Sequence, residues 1–266
     1  MSNAELKPTS PPSGFTGIDN LYVMNLAKNV DRKVALLSAL DHFGVKPEAV
    51  NFVDTVHGMD LLGRLYAQPP EQASLDDHLQ INALLQTEGV MAKRLYSRRQ
   101  HQKLPYLTIG EIGVASSARN AFQAMLKHKD RVAMLLEDDV QFVPDFPDRL
   151  AELMPHLPEN WEIVSLSWLK HPEPQPGIIV NEHFMIPYQA SYYESKGIFL
   201  GLESLLISKN GAKKLAQCLF PLDMCWSFKI ETLKNIGLLN FYAARQPLTR
   251  QDQTFPSGIQ TQVVFY

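Results

Sequence analysis

Cysteine is nearly absent: two residues in 266, Cys218 and Cys225, sit among apolar neighbours with no CxxC spacing and no histidine-rich surroundings. This excludes a disulfide scaffold or a cysteine-built zinc centre and points to free thiols in a reducing, cytosolic compartment. Long apolar runs are missing as well, none approaching the roughly eighteen residues that a membrane span needs. Neither sign of charge dominates; 25 basic residues against 28 acidic ones give a net −3, so nucleic acid is not an expected partner. There is no internal repeat. The opening stretch, residues 1–16, lacks the basic and apolar regions of a secretion signal and is rich in proline and serine, so a disordered tail is expected there. Residues 17–266 are then expected to form one domain.

What is present is a 45% hydrophobic chain, enough to bury a full core. "NLYVMNL" (20–26) reads as a buried strand, "NVDRKVALLSALDHFGV" as a helix closed by Gly44, and "AVNFVDTV" as a second strand. Strand–helix–strand at this spacing predicts a parallel, doubly wound α/β unit. A helical insertion is expected over 74–103, opened by Ser74 and Asp77 and ending in Lys93, Arg94, Arg98, Arg99 and Lys103. That basic end suits a solvated helix terminus, or a patch for an anionic acceptor or membrane surface. A further helix starts at "LTIGEIG", with Thr108 and Glu111 spaced as a capping box. "RVAMLLEDDV", "WEIVSLSW" and "GIFLGLESLLIS" read as later strands, the last leading into a helix.

The chemistry concentrates in "MLLEDDV" (134–140), a dry run that ends in Glu137, Asp138 and Asp139. Ionised carboxylates at the end of a buried strand cost several kcal/mol each, roughly, unless paired with a cation. Strand alternation would put Glu137 and Asp139 on one face and Asp138 on the other. Oxygen donors with no clustered histidine or cysteine suit Mn²⁺ or Mg²⁺, ions that share their coordination with substrate phosphates. An exposed acidic turn is the plain alternative. A phospho-acceptor pocket fits poorly, because no acid pair follows the first strand.

Taken in order, these segments resemble glycosyltransferase family 25, which contains bacterial lipooligosaccharide galactosyltransferases and is related to collagen galactosyltransferases. The matching pieces are Asn25, Leu26, Asp31 and Arg32 after the first strand, Val56 and Gly58 in "VDTVHGMD", and Leu107 to Gly113. "LLEDDV", "LLISKNGAKKL" and "PLDM" complete the set. The resemblance implies a single GT-A-like domain, a Rossmann-like, mostly parallel sheet flanked by helices. It implies inverting, metal-assisted transfer of a hexose such as galactose from a UDP-sugar to a glycan or lipid-linked oligosaccharide acceptor. By the same resemblance Glu137 and Asp139 handle Mn²⁺ (or Mg²⁺), while Asn25, Asp31, Arg32, Val56, Gly58, Ser117 and Asp138 bind the donor. Asp223 or Glu111 is the general base. The basic residues Arg94, Arg98, Arg99 and Lys103 would give peripheral contact with the inner membrane face of a cytoplasmic enzyme. One departure stands out: in "VASSARNAF" the family's histidine position is Ala118, although Ser117 is kept. A catalytically silent relative that binds nucleotide sugar or glycan is therefore the competing reading.

Overall fold

A computed structural model describes residues 12, 14–56, 109–167, 177–187 and 202–255. Gly58, Thr108, the 74–103 segment and its basic residues lie outside them.

Strand β1 (Asn20–Met24) is buried along its whole length, as a strand covered on both faces must be. Helix α1 (Val30–His42) comes next, and the chain leaves it through Gly44, whose φ of 76° is the left-handed conformation that glycine adopts without strain. Then come β2 (Val50–Phe52), α2 (Ile109–His128), β3 (Val132–Glu137), β4 (Val140–Phe142) and α3 (Phe146–Leu153). The remainder is β5 (Ile163–Ser165), β6 (Gly177–Ile179), β7 (Phe184–Pro187), β8 (Ser204–Ser208), α4 (Lys209–Cys218), α5 (Trp226–Asn235), β9 (Phe241–Ala244) and β10 (Thr249–Gln251).

Eight strands form one sheet in the order β2-β1-β3-β8-β5-β9-β7-β6, and β4 pairs with β10 beside it. The α/β expectation holds. β1 is parallel to β2 and β3, and β5 to β9, while β8 and β7 run against their neighbours. Most strands thus point one way, with two reversals that make the sheet mixed. Alternate residues feed two cores. Tyr22, Ala133, Leu135 and Leu205 pack with α2, α4 and α5 on one face. Leu21, Val23, Met134, Leu136 and Leu206 pack with α1 and α3 on the other. This three-layer sandwich leaves the strand ends as the polar rim, and in open α/β sheets the C-terminal ends face the ligand.

Candidate active site

The register of β1 against β3 sets Met24 beside Glu137, so Asn25 and Asp138 leave the sheet side by side. Asp138 is the hub of the site. Its Oδ2 accepts from Asn25 Nδ2 at 2.8 Å and Asn29 Nδ2 at 3.0 Å, and its Oδ1 accepts from Arg32 Nη1 at 2.9 Å. The same Nη1 donates to Asp139 Oδ2 at 3.2 Å. Arg32 comes from the first turn of α1, and its guanidinium also lies 5.3 Å from the centre of the Phe255 ring. Strand alternation therefore does not separate Asp138 from Asp139. β3 ends at Glu137 and the chain turns before β4, so both aspartates swing toward one cation.

Asp139 is held from its other side by the β4–β10 pair. Gln251 Nε2 donates to Oδ2 at 3.1 Å, and the Asp252 amide donates to the Asp139 carbonyl at 2.6 Å. The other carboxylate oxygen, Oδ1, is buried without a hydrogen-bond partner among the described residues. Glu203 joins from the start of β8: its carbonyl accepts from the Glu137 amide at 2.8 Å, and its Oε1 is likewise buried without a partner among the described residues. Arg32 bridges Asp138 and Asp139, and the carboxylates of Glu137 and Glu203 stand close to that pair. The electrostatic result is plain. Burial, reinforced by Asp139, Glu203 and Asp138, pushes the Glu137 carboxyl well above the usual range, against the pull of Arg32. Burial raises Asp139 too, although Gln251 and Arg32 oppose it, and burial raises Glu203 with a further push from Asp139.

Next to this cluster, Thr55 Oγ1 donates to the Asn25 carbonyl at 2.8 Å, tying the loop after β2 to the site. The Val56 amide donates at 3.0 Å to Ser117 Oγ, which itself donates to the Gly113 carbonyl at 2.8 Å. Asn120 holds the Asp54 carbonyl at 2.8 Å. Ala118, by contrast, is fully buried among the core residues under α2. The position that carries histidine in the resembled family thus turns inward here, while Ser117 turns toward the loop. On the α1 side a cleft of 620 Å³ opens between α1 and the β4–β10 pair, with Asp138, Asp139, Asp252 and Phe255 on its wall. That volume lies in the range of small-molecule sites.

The structure brings together Asn25, Arg32, Glu137, Asp138 and Asp139, with Val56 and Ser117 alongside. Asp31 is exposed in the first turn of α1, where a carboxylate favours the helix dipole. Asp223 is exposed in the turn between α4 and α5, and its Oδ1 accepts from Lys229 Nζ at 2.7 Å. Glu111 is half-buried in the first turn of α2. Sequence reasoning does not single out Asn29, Glu203, Gln251 or Asp252. Glu203 carries a signal, since "LESLLIS" sets an acid one residue ahead of an apolar run, much as "MLLEDD" sets acids after one, for a strand of opposite direction. The others carry none, because only the β10–β4 pairing and the Asn25 loop bring them close.

A family model described as "Glycosyltransferase family 25 (LPS biosynthesis protein)" matches residues 18–226, which include Asn25 to Glu203 but not Gln251 or Asp252. A protein of Aedes aegypti named "Glycosyltransferase 25 family member" is 24% identical over 208 residues. The similarity covers 77% of this chain and 29% of that relative, so the chain spans less than a third of the relative's length. With the family model matching most of its length, this chain belongs to glycosyltransferase family 25.

Proposed function

We propose that this protein is an inverting glycosyltransferase that moves a hexose, such as galactose, from a UDP-sugar to a glycan acceptor, with the help of Mn²⁺ or Mg²⁺. The observation that carries the reading is the surplus of negative charge at the C-terminal rim of the sheet. Four carboxylates cluster where Arg32 pairs with two of them, and among the described residues Asp139 Oδ1 is buried without a partner. A desolvated, unpaired carboxylate oxygen is expensive, and a cation removes the expense. The donor set fits a hard ion, being all oxygen. Among the described residues the site carboxylates do not form a closed cage, since no three of them bring oxygens within 4.8 Å of one another. Mn²⁺ and Mg²⁺ tolerate this, because they complete their shells with water and substrate phosphate.

In this reading Asp139 and Glu137 would hold the ion, which when bound would neutralise charge on the departing nucleoside diphosphate. Glu203 flanks them. Asp138 is a positioning residue: it fixes Arg32, Asn25 and Asn29. Arg32, Asn25, Val56 and Ser117 line the donor side, with Asp31 and Gly58 as further donor contacts. Displacement with inversion needs one base for the acceptor hydroxyl. Asp223 is the favoured base, because its exposed carboxylate is open to an arriving acceptor, and Glu111 is the second candidate. The acceptor is proposed to be a lipopolysaccharide core or similar lipid-linked oligosaccharide, met by a cytoplasmic enzyme at the inner membrane face through Arg94, Arg98, Arg99 and Lys103. Among the described residues no helix is long and apolar enough to cross a membrane. Ala118 gives little support to a silent relative. Its methyl group belongs to the core, so the exchange from histidine leaves the Ser117 side of the helix untouched.

Titration calorimetry tests the reading. UDP is expected to bind in Mn²⁺ and not in chelator, and the Asp139→Ala variant is expected to lose that binding. No UDP binding, or binding indifferent to both metal and Asp139, would overturn it.

A further inference from the structure

Four strands across the sheet from β3, roughly 19 Å at ordinary strand spacing, three metal-binding side chains meet that the transfer reaction does not use. His156 ends the 3-10 turn Met154–His156 that succeeds α3, and Glu182 and His183 form the turn between β6 and β7. One ligand atom from each lies within 4.8 Å of the other two. The two imidazole rings stack, with centroids 4.3 Å apart and planes inclined by 24°. His183 Nε2 lies 3.3 Å from Glu182 Oε1.

The backbone beneath them is fixed. Asn181 donates from Nδ2 to the His156 carbonyl at 3.1 Å, while its Oδ1 accepts from the amides of His183 and Phe184, each at 2.9 Å. Arg245 anchors the turn from the sheet side, its amide donating to the His183 carbonyl at 2.8 Å and its Nη1 to the Glu182 carbonyl at 3.2 Å. One asparagine side chain therefore holds the two segments at a set distance. An ion pair explains the Glu182–His183 contact but not the histidine stack.

We propose that His156, Glu182 and His183 bind a late first-row divalent cation, Zn²⁺ above all, at a site separate from the donor site. Two imidazoles and a carboxylate suit Zn²⁺ better than Mg²⁺ or Mn²⁺. The 3.3 Å between Oε1 and Nε2 also matches the edge of a tetrahedron with metal–ligand bonds of about 2.0–2.2 Å. His156 and Glu182 are exposed, so side-chain rotation can close the remaining edges. A fourth position would be left to water. Bound metal would staple the β6–β7 turn to the segment after α3.

The test uses the full chain in saturating Mg²⁺, titrated with Zn²⁺ by calorimetry, with Co²⁺ visible absorption as a probe of coordination. Wild type is expected to bind Zn²⁺ at this site and to melt at higher temperature with it, because binding to the folded state alone stabilises that state. His156→Gln and His183→Gln are each expected to weaken this binding by about tenfold or more, and Asn181→Ala to weaken it less, because Asn181 holds the backbone of both segments rather than a ligating atom. The Asp139→Ala variant should keep it. His156 is exposed, so His156→Gln should fold; its melting in chelator should equal that of wild type. No Zn²⁺ binding in wild type, or binding as strong as wild type in both histidine variants, would overturn the proposal.

Discussion

Arg32 is the cation on which the acids after β3 depend. Its side chain is mostly buried, Asp138 and Asp139 more so, and the guanidinium bridges both carboxylates. Removing one partner of a buried pair strands the other charge, at a cost of about 3–5 kcal/mol. Arg32→Met is therefore expected to lower the urea midpoint of the metal-free protein by a corresponding amount. Mn²⁺ should restore part of the loss by taking over the stranded carboxylates. Arg32→Lys should fall between, since a point charge replaces a planar fork. A midpoint unchanged in Arg32→Met would mean that Asn25 and Asn29 suffice for Asp138. Asp138 and Asp139 were legible from sequence, because polar side chains that end an apolar run emerge at the sheet's rim, whereas Arg32 was pointed to only by the family resemblance. Their partnership was not. Arg32 and Asp138 are 106 residues apart, and the turn after Glu137 that aims Asp138 inward leaves no mark in the alternation of β3.

Among the elements, α4 shows why a short motif is built as it is. Ser208 caps the helix by accepting from the Gly211 amide at 3.1 Å, which satisfies one of the amides that the first turn leaves unpaired. Gly211 then rests against the backbone of Glu162, where a Cβ would collide with the Glu162 carbonyl. Gly211→Ala must push α4 away from the entry to β5, and overpacking of this kind costs about 1–3 kcal/mol. The expected result is a lower melting temperature with UDP affinity retained, since the collision lies at the end of β8 away from the acids. Equal melting of variant and wild type would show that α4 can shift without loss. Segments β1, β3 and β8 were legible as strands because burial on both faces makes them nearly continuous apolar runs. The reversal of β8 was not, since a doubly buried strand reads alike in either direction. The pairing of β4 with β10 was equally hidden: each is three residues long, and the partners are joined only through the fold.

For the molecule as a whole, the carboxylate cluster couples folding to pH in the unusual direction. Burial raises Glu137, Asp139 and Glu203 above the values they would have in the unfolded chain. Between the unfolded values near 4 and those raised ones, the folded protein holds more protons than the unfolded chain, so stability falls as pH rises through that window. Metal-free protein is accordingly expected to melt at a higher temperature at pH about 5.5 than at about 7.5. Mn²⁺ with UDP should narrow the difference, because the bound cation offsets the same charge that protons neutralise. Glu137→Gln should narrow it too, and the comparison with wild type subtracts every other titrating group. A wild-type melting temperature that rises across this window would be compatible with carboxylates paired by protein alone. The same slope in Glu137→Gln as in wild type would place the coupling elsewhere. The pH profile thus asks whether the four acids around Arg32 are balanced within the fold or wait for a cation, and it does so without any knowledge of the sugar.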